Sequence, residues 1–177
     1  PKTKWIILCS PSNPTGSAYT RAELKKLTDV LMKHPHVWVM TDDMYEHLVY
    51  DDFEFTTPAQ VEPKLFDRTL TVNGVSKAYC MTGWRVGWLV ARADLAAKAA
   101  ELNEFMVSHA ASFSQKAAET ALAEGEAGLE AMVERLAANR NLCLAALRGM
   151  PGVTLPVPDG AFYLFTLRLV PLIPFFA

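Results

Sequence analysis

Three short apolar runs, Trp5 to Cys9, Val37 to Met40 and Thr69 to Val72, each give way to polar residues. The first ends in Ser10-Pro11-Ser12-Asn13-Pro14-Thr15-Gly16, the second in Thr41-Asp42-Asp43, and the third just before Gly74 and Lys77. Continuous runs of this length bounded by turn residues read as buried strands. Between the first two, Thr20 and Glu23 make a capping-box pattern, and Leu24, Leu27 and Leu31 follow on one face of a helix expected to end near His34-Pro35. Strand, helix and strand in this order predict an α/β fold with a mostly parallel sheet, whose ligands bind where the strands end. A fourth strand near Val86 to Ala91 follows too closely for a helical crossover and is expected to run antiparallel.

From Leu95 the pattern turns helical, with Leu95, Ala99, Leu102 and Met106 on one face. Ser114 is expected to cap a further helix, broken near Gly125 and Gly128. Leu129, Met132, Val133, Leu136, Cys143 and Leu147 then mark a long amphipathic helix stopped by Gly149-Met150-Pro151-Gly152. Two strand-like segments follow, Val153 to Leu155 and Ala161 to Phe165. We expect a domain boundary near residue 130, dividing the chain into 1–130 and 131–177.

At 177 residues, 51% apolar and 20% charged, the chain has the make-up of a soluble globular protein. A net charge of −2 without a Lys/Arg-rich block argues against nucleic-acid binding. No apolar run approaches the roughly 20 residues of a membrane span. The cysteines, Cys9, Cys80 and Cys143, are odd in number and scattered, which fits a reducing cytoplasm better than a disulfide framework. None of the four histidines has metal-ligand spacing, so no metal is expected. The chain opens on Pro1 rather than Met, from which we expect sequence upstream.

A lone lysine in a polar loop is usually a solvated surface charge, so Lys77 gains meaning only from its company. Asn13-Pro14-Thr15-Gly16, Asp42 with Tyr45 three residues on, and Lys77 followed by Thr82-Gly83-Trp84-Arg85-Val86-Gly87 occur in that order, each at an expected strand end or in the loop after it. This pattern resembles the class I and II aminotransferases of pyridoxal-phosphate fold type I, most of all the bacterial aspartate aminotransferases, from about Pro1 to Phe165. The resemblance implies a fragment, incomplete at both ends, of the family's large cofactor-binding domain (1–130, partial) and the start of its small C-terminal domain (131–177).

It also implies site roles. Lys77 would carry pyridoxal 5'-phosphate as a Schiff base and later serve as the base that moves the substrate's Cα proton. Asp42 would face the pyridine nitrogen and keep it protonated. Asn13, whose bond to Pro14 is expected to be cis, and Tyr45 would hydrogen-bond the phenolic oxygen. Arg85 would grip the phosphate. Where many relatives have a phosphate-binding serine three residues before the lysine, this chain has Gly74, so that either Ser76 partly substitutes or that contact is absent. Gly83-Trp84 is expected to be structural, with the indole in the core.

The implied reaction is transamination between an amino acid and a 2-oxo acid, in a cytoplasmic homodimer. The alternatives are a fold type I lyase or decarboxylase, and an aminotransferase-like sensor domain of a transcriptional regulator. Gly160-Ala161-Phe162-Tyr163 resembles the family's small-domain strand. The apolar, proline-interrupted tail of residues 166–177 matches nothing in the family, and Arg168 within it is given no substrate role. With the family's N-terminal part and substrate arginine lacking, the isolated chain is expected to be inactive.

Overall fold

The computed structural model describes residues 2–168. The first strand, β1 (Trp5–Cys9), leads through the proline-rich loop into helix α1 (Arg21–Met32). Thr20 starts that helix as expected: its hydroxyl accepts from the Glu23 N–H, and the Glu23 carboxylate accepts from the Thr20 N–H at 2.9 Å. The helix stops at Met32, short of His34-Pro35.

Strand β2 (Trp38–Asp42) follows, then a single turn of helix α2 (Pro58–Val61), a 3-10 segment (Pro63–Arg68) and strand β3 (Thr69–Gly74). Both strands run past their expected ends to Asp42 and Gly74, because neighbouring strands keep pairing with them there. After a 3-10 turn at Thr82–Trp84 comes β4 (Gly87–Val90). The sheet order is β1-β2-β3-β4, parallel for the first two pairings and antiparallel for the last, as the short β3–β4 connection requires.

Leu8, Val37 and Val39 pack with Leu31 of α1 and Leu65, supported by Ile6 and Leu27. Strand side chains alternate between faces. Trp5 and Ile7 accordingly lie on the other side, 47% and 68% exposed, with the Trp5 and Trp38 rings 5.7 Å apart. The expectation of strands buried throughout is thereby corrected, since among the described residues only the α1 face is well covered.

Helices α3 (Ala93–Val107), α4 (Ser112–Glu124) and α5 (Glu126–Arg148) complete the helical half. The α3 stripe forms but stays outside, with Leu102 and Met106 63% and 79% exposed. Ser114 does not cap α4: the cap is Ala111, and Ser114 sits within the helix, buried. Of the two expected breaks only Gly125 interrupts the chain. Gly128 lies inside α5, which also runs unbroken through residue 130.

The expected strand from Ala161 to Phe165 does not form. Ala161 has φ +58°, outside the extended region, and its N–H goes to Leu48 O at 2.8 Å. The segment is an irregular strap instead, touching the rest of the chain through a bridge between Gly160 and Val49. A two-residue pair, β5 (Val153–Thr154) with β6 (Leu167–Arg168), flanks it. A second apolar cluster joins Tyr45, Leu48 and Ala161 to Met132, Val133 and Leu136 of α5 and to Tyr163 of the strap. Among the described residues no helix is long and apolar enough to cross a membrane, and no group of three or more His, Cys, Asp or Glu could hold a metal. The tail from Leu169 onward lies outside the described residues.

Candidate active site

Because β4 runs against β1, β2 and β3, it begins at the edge where those three end. Asn13 follows β1, Asp42 closes β2 with Tyr45 just beyond, Ser76 and Lys77 follow β3, and Arg85 precedes β4. All six sequence-derived candidates therefore belong to one edge of one sheet.

The alternation of β2 separates Asp42 from Asp43. Asp43 is buried, accepts a hydrogen bond from Thr41 Oγ1 at 2.6 Å, and has its carboxyl pushed up by that burial. Asp42 lies half-buried beside Cys9 in the β1–β2 register, with Oδ1 accepting from the Met44 N–H at 3.2 Å. The core thus uses one carboxylate and leaves the other at the strand end. Burial also raises the Cys9 thiol, opposed by the Asn13 N–H and reinforced by the charges of Asp42 and Asp43.

The Asn13 loop is folded on itself, with Gly16 N–H donating to Ser12 O at 2.8 Å and Ser12 N–H donating to Ser17 O at 2.9 Å. Its Asn13-Pro14 bond is cis, as expected, and so is Ser10-Pro11. Gly16 has φ +71°, and any Cβ there would run into Pro158 of the strap. Asn13 itself is exposed.

Tyr45 is 4% exposed, and its hydroxyl lies 2.6 Å from that of Tyr163. Burial pushes the Tyr45 phenol well above its ordinary value, and either hydroxyl of the pair can be the donor. Lys77 sits in the turn after β3, half-buried, with Nζ 5.6 Å from the centroid of the Phe162 ring. Adjacent strap residues thus reach Lys77 and Tyr45 together.

Arg85 is exposed, has φ +55°, and donates to Thr82 O at 3.0 Å. It shares with Ser76 an open cleft of about 580 Å³ that Met44, Val72 and Asn73 also line. A second cleft, of about 920 Å³, lies on its other side against Trp84, His109 and Phe113. Trp84 is 44% exposed, its ring 6.3 Å from that of Phe113, which corrects the expectation of a core indole: the short turn before β4 leaves it at the surface.

Two pairings emerge: Ser76 with Arg85, and Lys77 with Tyr45 through the strap. Phe162 and Tyr163, expected only as part of a strand, reach the site as well. Their partners lie 118 residues earlier in the case of Tyr163, and only the aromatic pair itself hinted at a site. The donor set fits pyridoxal phosphate chemically: an amine able to condense with an aldehyde, a carboxylate at a strand end, a guanidinium and a hydroxyl-bearing residue lining one cleft, and a phenol.

The sequence matches the model of the family described as aminotransferase class I and II over residues 1–168. The chain belongs to this family. It is 54% identical over 165 residues to the aspartate/prephenate aminotransferase of Cereibacter sphaeroides, an alignment covering 93% of this chain and 41% of the relative. The crystal structure of the aspartate aminotransferase from Rhizobium meliloti superposes with a TM-score of 0.91 at 48% identity, over 94% of this chain and 42% of that one. A PLP-bound structure from Clostridium difficile 630 gives 0.84 at 25% identity, over 92% and 43%. The chain spans about two fifths of the length of these proteins. The fold is that of a fold type I aminotransferase fragment, a mixed sheet flanked by helices.

Proposed function

We propose that the protein containing this chain transfers an amino group from an amino acid to a 2-oxo acid, using pyridoxal 5'-phosphate held on Lys77. The observation that carries this reading is the sharing of one sheet edge by Asn13, Asp42, Tyr45, Ser76, Lys77 and Arg85, within an aminotransferase fold. Arg85 and Ser76, which share a cleft, would hold the phosphate through a planar guanidinium and a hydroxyl. Asp42 would pair with the ring nitrogen and Tyr45 and Asn13 with the phenolic oxygen. The group, when bound, supplies an electron sink that the side chains lack. The freed Lys77 amine would take the substrate's Cα proton and return it to the ring side.

The names of the relatives support aspartate as the amino donor. A homodimer in the cytoplasm, and the division into a large and a small domain near residue 130, belong to the same proposal. The test is product analysis: the whole protein, supplied with pyridoxal phosphate, aspartate and a 2-oxo acid, should form oxaloacetate and the new amino acid in equal amounts. Carbon dioxide or an elimination product in their place would favour a lyase or decarboxylase and overturn the reading.

A further inference from the structure

The residues from Pro158 to Tyr163 form a strap across the loops that carry the candidate site. Gly160 N–H donates to Gly16 O at 2.9 Å and Ala161 N–H to Leu48 O at 2.8 Å, so the loops after β1 and β2 are both engaged. Asp159 accepts from the Ala18 N–H at 3.0 Å, and the Tyr50 hydroxyl donates to Ala161 O. From the other side Arg140 of α5 donates to Pro158 O at 3.2 Å. A segment tied at so many points holds its next side chains in fixed positions.

Those side chains are Phe162 and Tyr163. The Tyr163 ring meets Tyr45 edge to face, centroids 5.8 Å apart, and the two hydroxyls lie 2.6 Å from each other. A phenol has one proton to give and lone pairs to receive with. When an anionic oxygen sits beyond Tyr45, the proton order that satisfies all three oxygens runs from Tyr163 to Tyr45 and from Tyr45 to the ligand.

We propose that Tyr163 is a positioning residue, which donates to the Tyr45 hydroxyl and so aims the Tyr45 proton at the phenolic oxygen of the cofactor. This rests on the reading of Tyr45 as a cofactor contact given above. The effect is an aligned chain of two hydrogen bonds in place of one free rotor. A bond to the anionic form of a group favours that form, so the aligned chain lowers the pH at which the bound cofactor loses its proton. The other titratable groups facing Tyr45 are Cys9 and Asp42, and neither donates to its hydroxyl among the described contacts.

The experiment is a pH titration of the visible absorbance of added pyridoxal phosphate bound to the whole protein, in wild type, Tyr163→Phe, Tyr45→Phe and the double variant. Each substitution keeps the ring and its packing. Tyr163→Phe should raise the midpoint by about half a pH unit or more, Tyr45→Phe should raise it further, and Tyr163→Phe should add nothing in the Tyr45→Phe background. An unchanged midpoint in Tyr163→Phe, or an equal shift in both backgrounds, overturns the inference and leaves the cofactor reading standing. A wild-type whole protein that binds no cofactor overturns that reading and this inference with it. In the cofactor-free protein, a slowly exchanging hydroxyl proton seen by NMR should vanish in either single variant; its persistence in Tyr163→Phe also overturns the inference.

Discussion

Gly74 and Gly87 stand opposite one another where β3 and β4 pair, and neither has room for a side chain. A Cβ on Gly74 would lie 2.9 Å from Val86 O and 3.0 Å from Gly87 Cα, and one on Gly87 would lie 2.9 Å from Asn73 O. The two backbones approach closely because both residues are glycine. That approach sets the turn bearing Ser76 and Lys77 beside the residues that lead into β4, Arg85 among them.

Gly74→Ser should therefore not restore a phosphate-binding serine without cost. The obstructing atoms are backbone, which cannot rotate away, so β4 must shift. Overpacking of this kind costs about 1–3 kcal/mol. Urea unfolding should report a loss in that range, and a variant as stable as wild type would contradict the close approach.

Arg140 holds the strap from behind. Its guanidinium is buried, donates to Pro158 O and to Asp51 at 2.8 Å, and lies 4.7 Å from the Tyr50 ring centroid. Arg140→Leu keeps apolar bulk and removes those donors. Amide hydrogen exchange at Gly160 and Ala161 should then speed up by about tenfold. Unchanged protection at both amides would mean that the loop contacts alone hold the strap.

His47 gives the fold a pH dependence. Its Nε2 lies 3.3 Å from Glu46 Oε1, and the hydrogen bond lifts the imidazole above its ordinary 6.5. A histidine whose folded value exceeds its unfolded one stabilises the fold fully below 6.5, and the contribution is lost as pH rises through the raised value. Partial exposure keeps the effect small. The stability difference between wild type and His47→Gln should fall as pH climbs from below 6.5 to above it. A difference independent of pH would contradict the pairing.

How much the sequence disclosed varied with the range of the interaction involved. The Thr20–Glu23 cap, the strand before Asn13 and the antiparallel return into Gly87 rest on residues close in sequence, and local patterning foretold them. Ser114, Trp84 and Ala161 depart from their expected places, Ala161 because its partner lies far off in sequence. Ser114 packs from inside α4, Trp84 is left outside by a turn too short to bury it, and Ala161 gives up strand geometry to bond with Leu48. The candidate residues were legible as a motif, whereas the link from Lys77 and Tyr45 to Phe162 and Tyr163 arises only when the strap folds back over the sheet edge.

Lys77 is proposed as the point of covalent attachment. Borohydride reduction of the whole protein in the presence of pyridoxal phosphate, followed by peptide mapping, addresses it directly. A stable pyridoxyl label should appear on Lys77 and be lost in Lys77→Ala; label on another lysine, or on none, would contradict attachment there.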